Sequence, residues 1–147
     1  MYGVGQAQLK IFVVMRKESI IVVYDNCQAT AEEIADKLGG EPVNVQSLNQ
    51  RMVNSARNLI LGITIQDDGQ LTPSWAYGKQ LLTSENLQGK TIAVFVSGGK
   101  ENVEDENLNK LFHSLKQCGA HLAGDVFRPG TSQWNMDYWI ASISPNL

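Results

Sequence analysis

The sequence predicts an α/β fold in three layers, a three-layer α/β/α sandwich with a largely parallel sheet covered by helices on both faces. Two observations carry that expectation. Short apolar runs recur at residues 9–15, 20–24, 43–45, 59–65, 91–96 and 121–127, and most are separated by segments of helical periodicity, the alternation of a layered α/β protein. The runs at 20–23, 59–63 and 92–96 are also continuous rather than alternating, as strands buried on both faces must be. These are expected at the centre of the sheet. A chain of 147 residues with 43% hydrophobic content is the size of one domain and can bury a core without disulfides or metal. Residues 1–18 read as an N-terminal extension with a candidate extra strand, and residues 19–147 as the single domain.

Taken in order, the runs at 9–15 and 20–24 are separated by Arg16-Lys17-Glu18-Ser19, a length suited to a hairpin. A central parallel strand has both edges occupied, so the first run is expected at a sheet edge or paired with a second copy in a homodimer. The strand Ile20-Ile21-Val22-Val23-Tyr24 breaks into the turn Asp25-Asn26-Cys27-Gln28-Ala29-Thr30 and then into a helical pattern over 30–38. Thr30 is the expected N-cap, with Glu32 and Glu33 at the positive end of the helix dipole, Glu33 completing a capping box, and Gly39-Gly40 as the stop. The segment 48–56 is weakly helical. A helix over 73–82 starts with Thr72-Pro73, a cap and first-position pair, and ends near Ser84. Leu108, Leu111, Phe112 and Leu115 stand at i, i+3, i+4 and i+7 of a helix over 107–117, which Gly119 terminates. A short last helix is expected within 135–144, before Pro145.

A formal charge of −3 and the lack of any dense Lys/Arg cluster exclude nucleic acid as a main partner. The run at 9–15 falls far short of the roughly 20 residues needed to span a bilayer, and no small-residue cleavage site follows it. Cys27 and Cys118 are the only cysteines, and neither has a C-x-x-C or Cys/His spacing. Two free thiols suit a reducing compartment, so a soluble, cytoplasmic protein without membrane association is expected. His113 beside a helical stripe and His121 at a strand start lack the neighbours of a triad or metal site. Cys27 is the one intrinsically reactive side chain in its turn, but no arginine follows it to hold a phosphate.

The order of motifs over about residues 19–130 resembles the flavodoxin family. Asn58-Leu59-Ile60-Leu61-Gly62-Ile63-Thr64 resembles its third strand, and Asp67-Asp68-Gly69-Gln70-Leu71 the acidic loop after it. Leu87-Gln88-Gly89-Lys90-Thr91-Ile92-Ala93-Val94-Phe95 is similar to its fourth strand, and Cys118-Gly119-Ala120-His121-Leu122-Ala123-Gly124 to the entry of its fifth. The resemblance implies a parallel sheet of order 2-1-3-4-5 with FMN at the carboxyl ends of strands one and three. It also implies a flavoprotein of electron transport, a low-potential carrier serving a redox or regulatory protein partner, in which the chemistry is the cofactor's and the chain is more an electron-transfer or binding protein than a catalyst. By the same resemblance Asn26, Cys27, Gln28, Ala29 and Thr30 line the phosphate, while Thr64, Ile65, Gln66 and Asp67, with Ser97, Gly98, Gly99 and Lys100, border the ring.

The chain departs from that pattern at the cofactor. The family's phosphate loop reads T/S-x-T-G-x-T; here the loop is a residue shorter, Ala29 replaces the glycine, and only Thr30 matches a phosphate-contacting hydroxyl. Asp25 adds a carboxylate near the place where the family holds a phosphate, and like charges oppose one another. Ile65 and Asn102 stand where stacking aromatics are usual, each worth about 0.5–1.5 kcal/mol beyond burial. These departures define the alternative, a flavodoxin-fold binding or regulatory module that has lost tight flavin binding, since fold does not fix function. Trp75 and Tyr77 lie close enough to the expected mouth to replace a missing stacking ring, but read rather as helix packing on the sheet. Trp134, Tyr138 and Trp139 form an aromatic tail suited to covering the core or a partner surface.

Overall fold

The computed structural model describes residues 20–98, 106–129 and 135–147. The candidate strand at 9–15, together with Gly99, Lys100, Asn102 and Trp134, lies outside the described residues. The sheet has five strands, β1 (Ile20–Tyr24), β2 (Glu41–Asn44), β3 (Asn58–Ile65), β4 (Thr91–Gly98) and β5 (His121–Leu122), in the order β2-β1-β3-β4-β5. Every pairing is parallel, with Val22 opposite both Pro42 and Ile60 and with Gly62 opposite Phe95. The helices are α1 (Gln28–Leu38), α2 (Gln50–Ser55), α3 (Pro73–Gly78), α4 (Ser84–Leu87), α5 (Glu106–Gln117) and α6 (Met136–Ile143).

Successive side chains of a strand point to opposite faces, and the core divides accordingly. Ile21, Val23, Leu59, Leu61, Ile63, Val94 and Val96 pack with Val53, Trp75, Leu87, Leu108, Leu111 and Leu115, so α2 to α5 cover one face. Ile20, Val22, Ile60, Ala93 and Phe95 pack with Ala31, Ile34, Ala35, Trp139 and Ile143, so α1 and α6 cover the other. Both parities of β1, β3 and β4 are buried, which is why those runs read as unbroken hydrophobic sequence. Gly62 is required by this packing: a Cβ there would sit 2.2 Å from the Phe95 ring. Trp75 is fully buried, with its indole N–H donating to the Gly62 carbonyl at 2.9 Å, while Tyr77 is exposed.

Several local expectations are corrected. The first helix starts at Gln28 with Cys27 as its N-cap, and the Ala31 N–H donates to the Cys27 carbonyl at 2.9 Å. Thr30 therefore lies inside the first turn and no Thr30–Glu33 capping box forms. Gly39 ends the helix as expected, in the left-handed conformation at φ 72°. The helix expected over 73–82 divides into α3 and a 3-10 turn, Lys79–Leu81, before α4 begins at Ser84. The run at 121–127 is not one strand. The Ala123 N–H donates to the Ile92 carbonyl at 2.8 Å, but the next ladder bond comes from Phe127, to Val94 at 3.0 Å, so residues 124–126 leave the ladder. Gly124 allows that excursion at φ +64°, where a Cβ would approach Ile143 to 2.9 Å. Lys90, at the foot of β4, donates to the carbonyls of Asn54 and Ala56 and so satisfies the end of α2. Among the described residues, no helix is long and apolar enough to cross a membrane.

Candidate functional site

At the carboxyl ends of β1, β3 and β4 a polar network is built around one carboxylate. Asp25 follows β1 directly and is half-buried. Its Oδ1 accepts from the Asn26 N–H at 2.8 Å and from the Thr64 hydroxyl at 2.8 Å, and its Oδ2 accepts from the Thr72 hydroxyl at 2.6 Å. Thr64 is placed by the end of β3. Thr72 is placed by the start of α3, where its extended backbone occupies the N-cap position while its hydroxyl makes no cap bond. The Cys27 thiol lies 2.7 Å from the Ser97 hydroxyl and 3.6 Å from that of Thr64, and the two hydroxyls are 3.4 Å apart. Hydrogen bonds to an ionised acceptor are roughly twice as strong as neutral ones, so Asp25 joins the strand ends more firmly than the hydroxyls alone would.

The structure thus brings Cys27, Thr64 and Ser97 into direct contact and links Asn26 to them through Asp25. Gln28 is turned away, its amide donating along α1 to Glu32 at 2.9 Å. Ala29 is exposed and Thr30 half-exposed on the first turn. Ile65 is 3% exposed and belongs to the core. Gln66 and Asp67 are exposed on a turn closed by Gln66 N–H to Gln70 at 2.9 Å and Gly69 N–H to Gln66 at 2.8 Å, which Asn107 of α5 pins through the Gly69 carbonyl at 2.8 Å. Gly98 has φ +78° and would place a Cβ 2.4 Å from the Ile65 carbonyl, so only glycine fits there. In the sequence Asp25 signals only an opposing charge and Thr72 only a cap. A threonine before Pro73 signals a helix start; nothing local signals that its hydroxyl serves a residue 47 positions away.

No protein-family model matches the chain, and no curated protein matches it by sequence. Solved structures do match. Oxidised flavodoxin 1 from Bacillus cereus superposes with a TM-score of 0.68 at 18% identity, over 88% of this chain and 99% of that one. A flavodoxin of Streptococcus pneumoniae TIGR4 gives 0.65 at 16%, over 87% and 99%. A short-chain flavodoxin associated with a non-canonical PDU bacterial microcompartment gives 0.65 at 18%, over 86% and 97%. The fold is flavodoxin-like. Identities this low speak for the fold alone.

The described residues of this flavodoxin-like mouth do not fit the FMN that the resemblance implies. The hydroxyls of Thr64 and Thr72 and the N–H of Asn26 already serve Asp25. Like charges 4 Å apart near a protein surface repel by about 4 kcal/mol, which sets the scale of the penalty for bringing a phosphate beside that carboxylate. Asp67 and Asp68 add exposed acids on the neighbouring turn, and Ile65 is in the core rather than placed to stack on a ring. Two surface grooves lie away from this end. One, of about 530 Å³, runs along β5 beside Phe112 and Lys116, and the other, of about 620 Å³, lies at the amino ends of β3 and β4 around Arg57 and Lys90. Neither includes a residue of the Asp25 network.

Proposed function

We propose that this chain is a flavodoxin-fold binding or regulatory module that has lost tight flavin binding and works through a protein partner. The observation that supports this reading is the Asp25 carboxylate, which holds three donors at the mouth where the fold's ligands bind. The free thiols Cys27 and Cys118 suit a reducing, cytoplasmic setting. The test is the visible spectrum of the purified protein together with FMN fluorescence on titration. A colourless protein with no saturable quenching at micromolar FMN is expected; a yellow protein, or saturation in that range, would reject the reading.

One observation favours a second reading, an FMN-binding low-potential electron carrier. The N–H groups of Gln28, Ala29 and Thr30 precede the first intrahelical bond of α1, from Ala31 to Cys27, and a helix start of this kind attracts anions. The same titration separates the two, because a carrier must hold its flavin.

A further inference from the structure

We propose that the Asp25 carboxylate is a built-in anion that occupies three donors of this mouth and makes it select against phosphorylated ligands. The inference rests on the reading above that the carboxyl ends of β1 and β3 form the ligand mouth, and it assigns the specificity of that mouth to one side chain. A phosphate is held by several N–H and O–H donors converging without a fixed negative charge among them. Here the converging donors are the Asn26 N–H, the Thr64 hydroxyl and the Thr72 hydroxyl, from three separate segments, and all three close on Asp25 at 2.6–2.8 Å.

A tethered carboxylate competes as though present at millimolar concentration or higher, and it cannot diffuse away. Of the other polar side chains of the turn, Gln28 and Cys27 are engaged elsewhere, which leaves the Asn26 amide and the Thr30 hydroxyl. Ala29 has no polar group, the Gln28 amide serves Glu32 at 2.9 Å, and the Cys27 thiol contacts Ser97. Thr72 points the same way, since its hydroxyl serves the carboxylate rather than the helix it precedes. Neutralising that one side chain removes the fixed charge, and removing it releases donors from three segments, beside the start of an 11-residue helix. Asp25→Asn is therefore expected to create an anion site. The ligand class admitted by the wild type is one that brings no phosphate to the β1–α1 turn: riboflavin is accepted at least as well as FMN.

The test uses the full chain and inorganic phosphate as the probe. Thermal unfolding is followed up to about 50 mM phosphate against chloride at matched ionic strength, because a ligand of the native state raises the midpoint. The wild type is expected to show no phosphate-specific rise, and Asp25→Asn a saturable one. In parallel flavin titrations the preference for FMN over riboflavin is expected to rise at least about tenfold in the variant, a shift of 1.4 kcal/mol or more. Equal phosphate responses in the two proteins, including none in either, would overturn the inference, as would a wild type that prefers FMN to riboflavin. Asp25→Ser replaces Asp25→Asn if the latter folds poorly. If neither folds, the wild type decides alone: phosphate indifference supports the inference and a phosphate response rejects it. Tight FMN binding by the wild type would defeat the binding-module reading, whereas variants that gain nothing defeat only the assignment to Asp25.

Discussion

Thr72 gives its hydroxyl to Asp25 rather than to the helix it precedes, and the residue is itself only 7% exposed. Thr72→Val keeps the shape and removes the donor. Leaving a charged acceptor short of a partner is expected to lower stability by about 1–2 kcal/mol, measured by urea denaturation. A loss under about 0.5 kcal/mol would show that solvent satisfies Oδ2 instead. The same network explains why the helix is capped by Cys27 and not by Thr30. Capping preference favours Thr30 over Cys27, but Asp25 is anchored at once to β3 and to Thr72, and the chain turns into α1 immediately after it. A residue whose position is decided by partners 39 and 47 positions away is not legible from local preference. Gly39 was legible, because its left-handed backbone depends on nothing beyond its own helix.

At the scale of elements, α1 and α6 share one face of the sheet and are joined by an ion pair, Lys37 Nζ to Asp137 Oδ1 at 2.7 Å. The hydrogen bond and charge of Asp137 raise the Lys37 pKa above its ordinary 10.5. A raised folded-state value means that the pair's contribution is complete below 10.5 and is lost as pH rises through the folded value. The stability difference between wild type and Lys37→Met should therefore hold steady from neutral pH to 10.5, fall above it, and shrink with added salt. A difference unchanged through strongly alkaline pH would show that the pair contributes nothing to folding. Lys90 works in the opposite sense: burial lowers its pKa, so its cost is present below the lowered value and is relieved between there and 10.5. The buried strands were legible because both their faces are apolar. The end of β5 at Leu122 was not, because 121–127 reads as one strand, and the chain turns away at Gly124 with a positive φ and no room for a Cβ beside Ile143 of the last helix.

For the whole molecule, the sheet separates two cores, and the smaller depends on Trp139. Its ring is stacked on Phe127 with centroids 5.1 Å apart and edge-on to Phe95 at 6.4 Å, and its N–H donates to the Asp125 carbonyl at 2.9 Å. Trp139→Ala should cost about 3–5 kcal/mol, a large part of the roughly 5–15 kcal/mol that stabilises a domain. Chemical denaturation followed by circular dichroism measures it, and a loss below about 1 kcal/mol would mean that α6 is not integral to the fold. Layering and strand order were readable from the apolar runs and the order of motifs, whereas the character of the mouth was not, since it arises where Asp25, Thr64, Thr72 and Ser97 meet from distant parts of the chain. Because that meeting is completed by a side chain of the protein itself, the turns that carry Asp25 and Thr72 are ordered as the chain folds. Ordering backbone costs about 1–2 kcal/mol of entropy per residue. A ligand that suits this mouth finds the ordering already done, so less of its binding energy goes into organising loops and more remains as affinity.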